Sequence, residues 1–243
     1  VQSTKTMAED ILGDAIWDYH SGNYDQKVVI HSSLDEQDIL PIPYLFRDYK
    51  AMPVLEQKAL ELCKGSVLDI GCGAGSHSLY LQEKGLDVTA LDRSAKAISI
   101  CSMRGVKKTV HEAILDFSGT KFDTLLLLMN GIGLAGRLED LDEVLVHLGS
   151  LLKAGGQILL DSSDIIYMYE SDDDGGYWIP DAEGYYGEMT FQMEYKGNKS
   201  ETYNWLYIDY NTLQRAANAN NLSCELVSNG EHYDYLARLC PLV

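Results

Sequence analysis

A ten-residue run, Val67 to Ser76 (VLDIGCGAGS), places three glycines at alternate positions directly behind an apolar segment that carries Asp69. A strand covered on both faces of a parallel sheet reads as a near-continuous apolar run, and Ser66 to Ile70 has that character. Glycines at 71, 73 and 75 remove the side chains that would hold a ligand off the backbone, where the next helix presents the positive end of its dipole. A second apolar strand, Val88 to Leu91, ends in Asp92, twenty-one positions past Gly71. A carboxylate at that point can accept hydrogen bonds from two ribose hydroxyls. Together these features point to an adenosine-containing ligand held at the carboxyl edge of an α/β sheet.

A nicotinamide or flavin site would need Gly or Ala at the third position of GxGxxG, and this chain has Ser76 there. Asp69 would also oppose a diphosphate in a poorly screened crevice, whereas it suits an ammonium group. The run resembles the first motif of the class I S-adenosylmethionine (SAM)-dependent methyltransferases, an acidic residue followed by GxGxG, matched by Asp69, Gly71, Gly73 and Gly75. Asp92 matches the acidic residue after their second strand. Lys121 to Gly133 (KFDTLLLLMNGIG) resembles their fourth strand and active-site loop, and Leu151 to Asp161 (LLKAGGQILLD) their helix end, glycine turn and fifth strand. Four motifs thus follow the family's order.

The resemblance implies SAM as cofactor and S-adenosylhomocysteine (SAH) as product. It implies a seven-stranded, mostly parallel Rossmann-like sheet with helices on both faces. Asp69 would orient the glycine loop and receive the cofactor's ammonium, while Gly71 and Gly73 present backbone to its methionine part and Cys72 fills a slot within the loop. Asp92 would hold the ribose, with Arg93 along the adenine edge. The adenine amino group would meet either Glu112 with Ala113 and Ile114, or Asp116 with Phe117. Asn130 and Gly131 would border the reacting methyl, although Asn130 equally suits a turn.

The remaining chain divides around this core. Residues 1 to 52 form an N-terminal extension, with a helix over Met7 to Tyr19 (Ile11, Ala15 and Trp17 partly apolar) and a short strand over Lys27 to Ser32. Its PIPYLFRDY segment, with Tyr44 and Arg47, is a candidate lid. Residues 53 to 243 form the cofactor domain. The pattern predicts a helix from Pro53 to Cys63, strands at 66–70, 87–91, 108–113, 122–129 and 156–161, and helices at 75–84 and from Ser94 to Gly105. Leucines 138, 141, 145, 148 and 152 mark a further helix face. Tyr185 to Tyr195 and Glu201 to Ile208 read as an antiparallel hairpin inserted at about 165–208, followed by a helix over Asp209 to Asn220 and two closing strands. Twelve of the chain's 23 aromatic residues lie between 163 and 210, among them Tyr167 and Trp178, candidates for a wall around a cationic group.

Nineteen basic against 37 acidic residues give a net charge of −18, which repels a phosphate backbone and disfavours nucleic-acid substrates. Five scattered cysteines without CxxC or His pairing argue against a disulfide framework and a metal site. No apolar stretch is long enough for a membrane span, and VQSTKTMAED lacks a signal-peptide pattern, so cytoplasm is the expected compartment. The expected activity is methyl transfer to a small-molecule nucleophile. The alternative is a non-catalytic SAM- or SAH-binding regulatory module, and a nicotinamide-dependent oxidoreductase comes third. In-line displacement can proceed without a general base; one that removed a proton from a substrate oxygen or amine would come from His20, His31, His77 or His232, which have no local support in the sequence. The oligomeric state is not encoded in any of these features.

Overall fold

The structure is a computed structural model and describes residues 10–25, 27–34, 37–171, 177–178 and 184–242. Helix α1 (Ile11–His20), strands β1 (Val28–Ser32) and β2 (Gln37–Leu40) and the single turn α2 (Ile42–Leu45) form the N-terminal extension. The alternating core runs α3 (Val54–Leu62), β3 (Ser66–Ile70), α4 (Ser76–Glu83), β4 (Asp87–Asp92), α5 (Ala95–Arg104), β5 (Thr109–His111), β6 (Phe122–Leu127), α6 (Leu141–Ser150) and β7 (Leu152–Ser163). A two-residue pair, β8 (Glu170–Ser171) and β9 (Tyr177–Trp178), precedes β10 (Glu188–Tyr195), β11 (Asn198–Lys199) and β12 (Tyr203–Leu206). Helix α7 (Tyr210–Ala219) and strands β13 (Leu222–Asn229) and β14 (Asp234–Pro241) close the chain.

Seven strands form the main sheet in the order β13-β14-β7-β6-β3-β4-β5. Strands β3 to β7 pair in parallel, and β14 runs antiparallel to both β7 and β13. Side chains alternate across this sheet as the pleat requires. Leu68, Leu125, Ile158 and Leu160 pack with the α6 and α7 leucines, while Val67, Leu126 and Leu159 pack with Leu55, Ala59 and Leu60 of α3. Each such leucine, fully buried, contributes roughly 1.5–3 kcal/mol. Helix limits follow from local chemistry. Ser94 Oγ accepts the Ala97 N–H at 3.0 Å to start α5, and Gly105 ends it at φ +102°. Among the described residues no helix is long and apolar enough to cross a membrane.

A second sheet, β11-β10-β1-β2 with β12 also on β10, unites the N-terminal extension with the insertion. The hairpin expected within 185–208 is present, but its turn is tighter than KGNKS suggests. Lys196 and Gly197 adopt φ +51° and +79°, which places Tyr195 opposite Asn198. The opposite edge of β10 is occupied by β1, in the register Val29 to Glu194 and Ser32 to Phe191. That pairing is long-range, and no local pattern announces it. Helix α1 differs in detail from expectation. Trp17 is exposed, and Ile16 instead is buried between Ala74, Ala97 and Ile100. Helix α6 begins only at Leu141, because Leu138 lies in a preceding 3₁₀ turn.

Candidate active site at the carboxyl edge

The glycine loop is stitched to the neighbouring strand. Gly71 and Cys72 donate their N–H groups to the Leu91 carbonyl at 2.9 and 3.1 Å. Gly73 donates to Asp92 Oδ2 at 2.9 Å, and Ser94 to Asp92 Oδ1 at 2.8 Å. Asp92 and the loop are therefore brought together, with burial raising the carboxyl against the opposing pull of those N–H groups. A Cβ at Gly71 or Gly73 would meet no atom within 4 Å, so open space lies over the backbone at both positions. Gly75, at φ +83°, differs: a Cβ there would sit 2.8 Å from Cys101 Sγ. Cys72 fills the seam on the other side, its Sγ 3.6 Å from that same sulfur, and the shared hydrogen bond and burial push its thiol well up.

Asp69 is turned toward α4. It is buried, and its Oδ2 accepts the Ser78 hydroxyl at 2.6 Å, with burial raising its carboxyl. Of the two adenine alternatives, Glu112 adjoins Asp92, since its N–H donates to the Asp92 carbonyl at 3.1 Å. Ile114 beside it is buried and Ala113 is exposed. Asp116 is exposed within a turn closed onto the Ala113 carbonyl. Arg93 is exposed at the same edge, where its charge acts on Tyr203 of β12.

The lid candidates Tyr44 and Arg47 prove to belong to a buried polar cluster. Arg47 Nη2 donates to both carboxylate oxygens of Glu56 on α3, Nη1 donates to the Tyr44 carbonyl, and the guanidinium lies 3.6 Å from the Tyr44 ring centroid. His77 Nε2 of α4 lies 2.7 Å from Glu56 Oε2. Burial alone would raise the Glu56 carboxyl, but the hydrogen bonds and charges of His77 and Arg47 outweigh it and hold it below the ordinary carboxylate range. Nearby, Ser76 Oγ donates to the Leu45 carbonyl at 2.8 Å, and Arg104 reaches the Ala74 carbonyl beneath the Phe46 ring. The 41–47 segment is thus clamped onto the start of α4.

Beyond β6, Met129 and Asn130 adopt φ +64° and +57°, and their N–H groups donate to Asp161 at 3.2 and 2.8 Å. Asn130 also bridges β7 and β12: Oδ1 accepts from Ser162 Oγ at 2.8 Å, and Nδ2 donates to the Leu206 carbonyl at 3.2 Å. Gly131 begins the 3₁₀ turn that follows. Tyr167 is half-exposed and stacks on Tyr233 with centroids 4.9 Å apart. The Trp178 side chain lies outside the described residues. Sequence reasoning missed Glu56 and Asp161. A carboxylate sharing the buried stripe of Leu55, Ala59 and Leu60 was the signal for the first, and an acid ending the fifth strand, as Asp92 ends the second, was the signal for the other.

A family model described as a methyltransferase domain matches residues 45–225. A SAM-dependent methyltransferase from Bacteroides fragilis, solved in complex with SAH, is 41% identical, covers 96% of this chain and 95% of its own, and superposes with a TM-score of 0.88. The chain belongs to the SAM-dependent methyltransferases. A cypemycin N-terminal methyltransferase from a Streptomyces species is 31% identical over 103 residues, 41% of this chain and 42% of that protein. The match to that curated relative therefore spans about two-fifths of its length. A sugar N-methyltransferase from a Streptoalloteichus species shares the fold at 16% identity, with a TM-score of 0.56 over 78% of this chain and 85% of that one. The methyltransferase's backbone is thus uncovered at Gly71 and Gly73, beside the Asp92 carboxylate. Among its described residues, no group of three or more His, Cys, Asp and Glu side chains is placed to hold a metal.

Proposed function

We propose that this methyltransferase transfers a methyl group from SAM to a small-molecule nucleophile and releases SAH. The observation that carries the small-molecule reading is the second sheet. The N-terminal strands and the insertion pair into one layer, whose β12 is tied through Leu206 to Asn130 at the sheet's carboxyl edge. A site roofed in this way suits a compact acceptor better than a polymer, and the charge of −18 opposes a nucleic acid.

When bound, SAM supplies a methyl made electrophilic by its sulfonium. Asp92 is assigned to the ribose hydroxyls, Gly71 and Gly73 to backbone contact with the methionine arm, and Glu112, Ala113 and Ile114 to the adenine edge. Asp69 acts from beneath the loop by fixing α4 through Ser78. Leu45, Phe46 and the Arg47–Glu56 pair hold the 41–47 segment as a strap against α3 and α4, where it would keep water from the reacting atoms. Thermal-shift measurements with SAM, SAH, NAD and NADP test the cofactor, because a specific ligand stabilises the native state by mass action. A rise with SAM and SAH alone is expected. SAH release is then followed across small amines, phenols, thiols and acids, with a peptide and an RNA as macromolecular acceptors. Turnover on the macromolecules alone would overturn the small-molecule reading, and binding without any turnover would favour the regulatory module.

A further inference from the structure

We propose that Asp161 is the acceptor-binding carboxylate of the methyltransferase, which holds the charged nitrogen of an amine substrate and takes its proton. The inference deepens the proposed function and rests on it. It assigns both an acceptor class and a residue.

Asp161 stands near the carboxyl end of β7, beside the point where β6 has just ended. Because Leu159 packs on the α3 side and Leu160 on the other, the pleat puts Asp161 on the side of Glu56 and Tyr44. Its carboxylate accepts two backbone N–H groups and has lone pairs to spare. Those donors come from two consecutive non-glycine residues in the left-handed region, an arrangement that costs about 1–2 kcal/mol per residue and concentrates N–H groups on an anion. The structure thus fixes the direction of this carboxylate at the expense of local strain.

No cation answers it. Arg47 and His77, the basic groups of the neighbouring strap and α4, both pair with Glu56, and among the described residues no Lys, Arg or His forms an ion pair with Asp161. The other titratable groups facing it are the Tyr44 hydroxyl and Glu56 itself, and the Glu56 charge repels it. Holding the 129–131 turn would need only a neutral acceptor. An unpaired negative charge, still partly open to the crevice, is what a bound ammonium would neutralise. Burial, reinforced by Glu56, pushes this carboxyl up to about 7.

The step balances simply. The substrate's N–H bond breaks, its proton passes to a carboxylate oxygen of Asp161, and the electron pair stays on nitrogen as the lone pair needed for attack. Gain of the methyl restores the positive charge on nitrogen, and the proton on Asp161 returns to solvent when product leaves. A carboxyl poised near neutrality suits both halves of that exchange.

The decisive measurement is carboxyl-carbon NMR of the SAH complex labelled at the aspartate side-chain carboxyls, with methylammonium as the probe. One resonance absent from Asp161→Asn should titrate near 7, and methylammonium should lower its midpoint. Asp161→Glu supplies the assignment if the asparagine variant does not fold. Titration in the ordinary aspartate range, or a midpoint unmoved by methylammonium, overturns the proposal. Transfer from isotopically labelled SAM to parallel panels of amines, phenols, acids and thiols should label nitrogen, and D161N should lower kcat/KM on amines by about 10²-fold or more with loss of the acid limb. Label confined to oxygen, carbon or sulfur acceptors overturns the amine assignment while leaving the small-molecule reading intact. Label confined to the amino group of a peptide does the reverse. If D161N weakens SAM binding without weakening SAH binding, the carboxylate serves the sulfonium instead, and the proposal falls.

Discussion

Replacing Glu56 with Gln isolates what the buried cluster contributes, because the side chain keeps its volume and one acceptor oxygen while losing its charge. Glu56 is 4% exposed and Arg47 9%, and Arg47 Nε already lacks a partner. The variant leaves a guanidinium in the interior with no counter-charge. Breaking a buried pair from one side costs about 3–5 kcal/mol, and the retained amide oxygen puts this case near the lower end, about 3 kcal/mol. In a chain of this length that corresponds to a fall in Tm of roughly 6–12 °C. The sign with pH follows from the direction of the shift. Glu56 is held below its ordinary value of 4.5, so its contribution is complete above that pH and disappears as pH falls through the folded value. Urea unfolding of wild type and E56Q should therefore converge in acid, as pH falls below 4.5 and through the folded Glu56 value, while the difference near neutrality also carries the shifted titration of Asp161, which the Glu56 charge opposes. The double variant Glu56→Leu with Arg47→Met should recover most of the loss, since an apolar pair carries no desolvation cost. A deficit under about 1 kcal/mol at pH 7, or one that persists unchanged in acid, refutes the ion-pair account.

Three further outcomes are expected. Asp92→Ala should weaken SAH binding at least tenfold, about 1.4 kcal/mol, in calorimetric titration, with the freed Gly73 and Ser94 N–H groups adding to the loss. Two glycines of one motif should separate. Both carry a positive φ, +72° at Gly71 and +83° at Gly75, so alanine costs about 1–2 kcal/mol of backbone strain at either. Gly75→Ala, also forced 2.8 Å from Cys101 Sγ and 3.2 Å from Val106 Cγ2, should lose clearly more stability, whereas Gly71→Ala, with open space around it, should lose only the strain and lower SAH affinity. Tyr195→Phe removes the 2.9 Å hydrogen bond to Asp18 that ties α1 to β10, and should speed hydrogen exchange in α1 at a stability cost of about 1 kcal/mol.

The core was legible because its signals are local. Strand β3 begins and ends at the expected residues, and α5 is bounded by the Ser94 and Gly105 caps that the sequence displays. The Asp92–Gly73 contact follows from motif spacing. The second sheet was not legible as a unit, since β1 and β10 lie some 160 residues apart and each reads only as an isolated strand. Tyr44 and Arg47 were marked for their chemistry, but their partners Glu56 and His77 sit on two other helices. The sequence shows a charge on an apolar stripe without showing what neutralises it. Asp161 was hidden for a related reason: its donors are backbone N–H groups, which no side-chain pattern reveals.

Burial, against the pull of those backbone donors, makes Asp161 a thermodynamic marker. Its carboxyl is raised from 3.8 to about 7, so the folded chain holds a proton there that the unfolded chain has released. Stability must then fall as pH rises between those two values, the opposite of the Glu56 case. The full span, roughly three pK units at 1.36 kcal/mol each, sets a ceiling of about 4 kcal/mol, and the part of the residue open to water reduces it. Asp161→Asn cannot ionise, and its weaker hold on one of the two N–H groups adds only a constant offset. Wild type minus D161N, followed by urea unfolding from pH 4 to 8, should therefore slope downward by about 2–4 kcal/mol and level off near pH 8. A difference that stays flat across that interval would mean that Asp161 ionises in the folded chain as readily as in the unfolded one, and the raised carboxyl proposed to take the amine's proton would not exist.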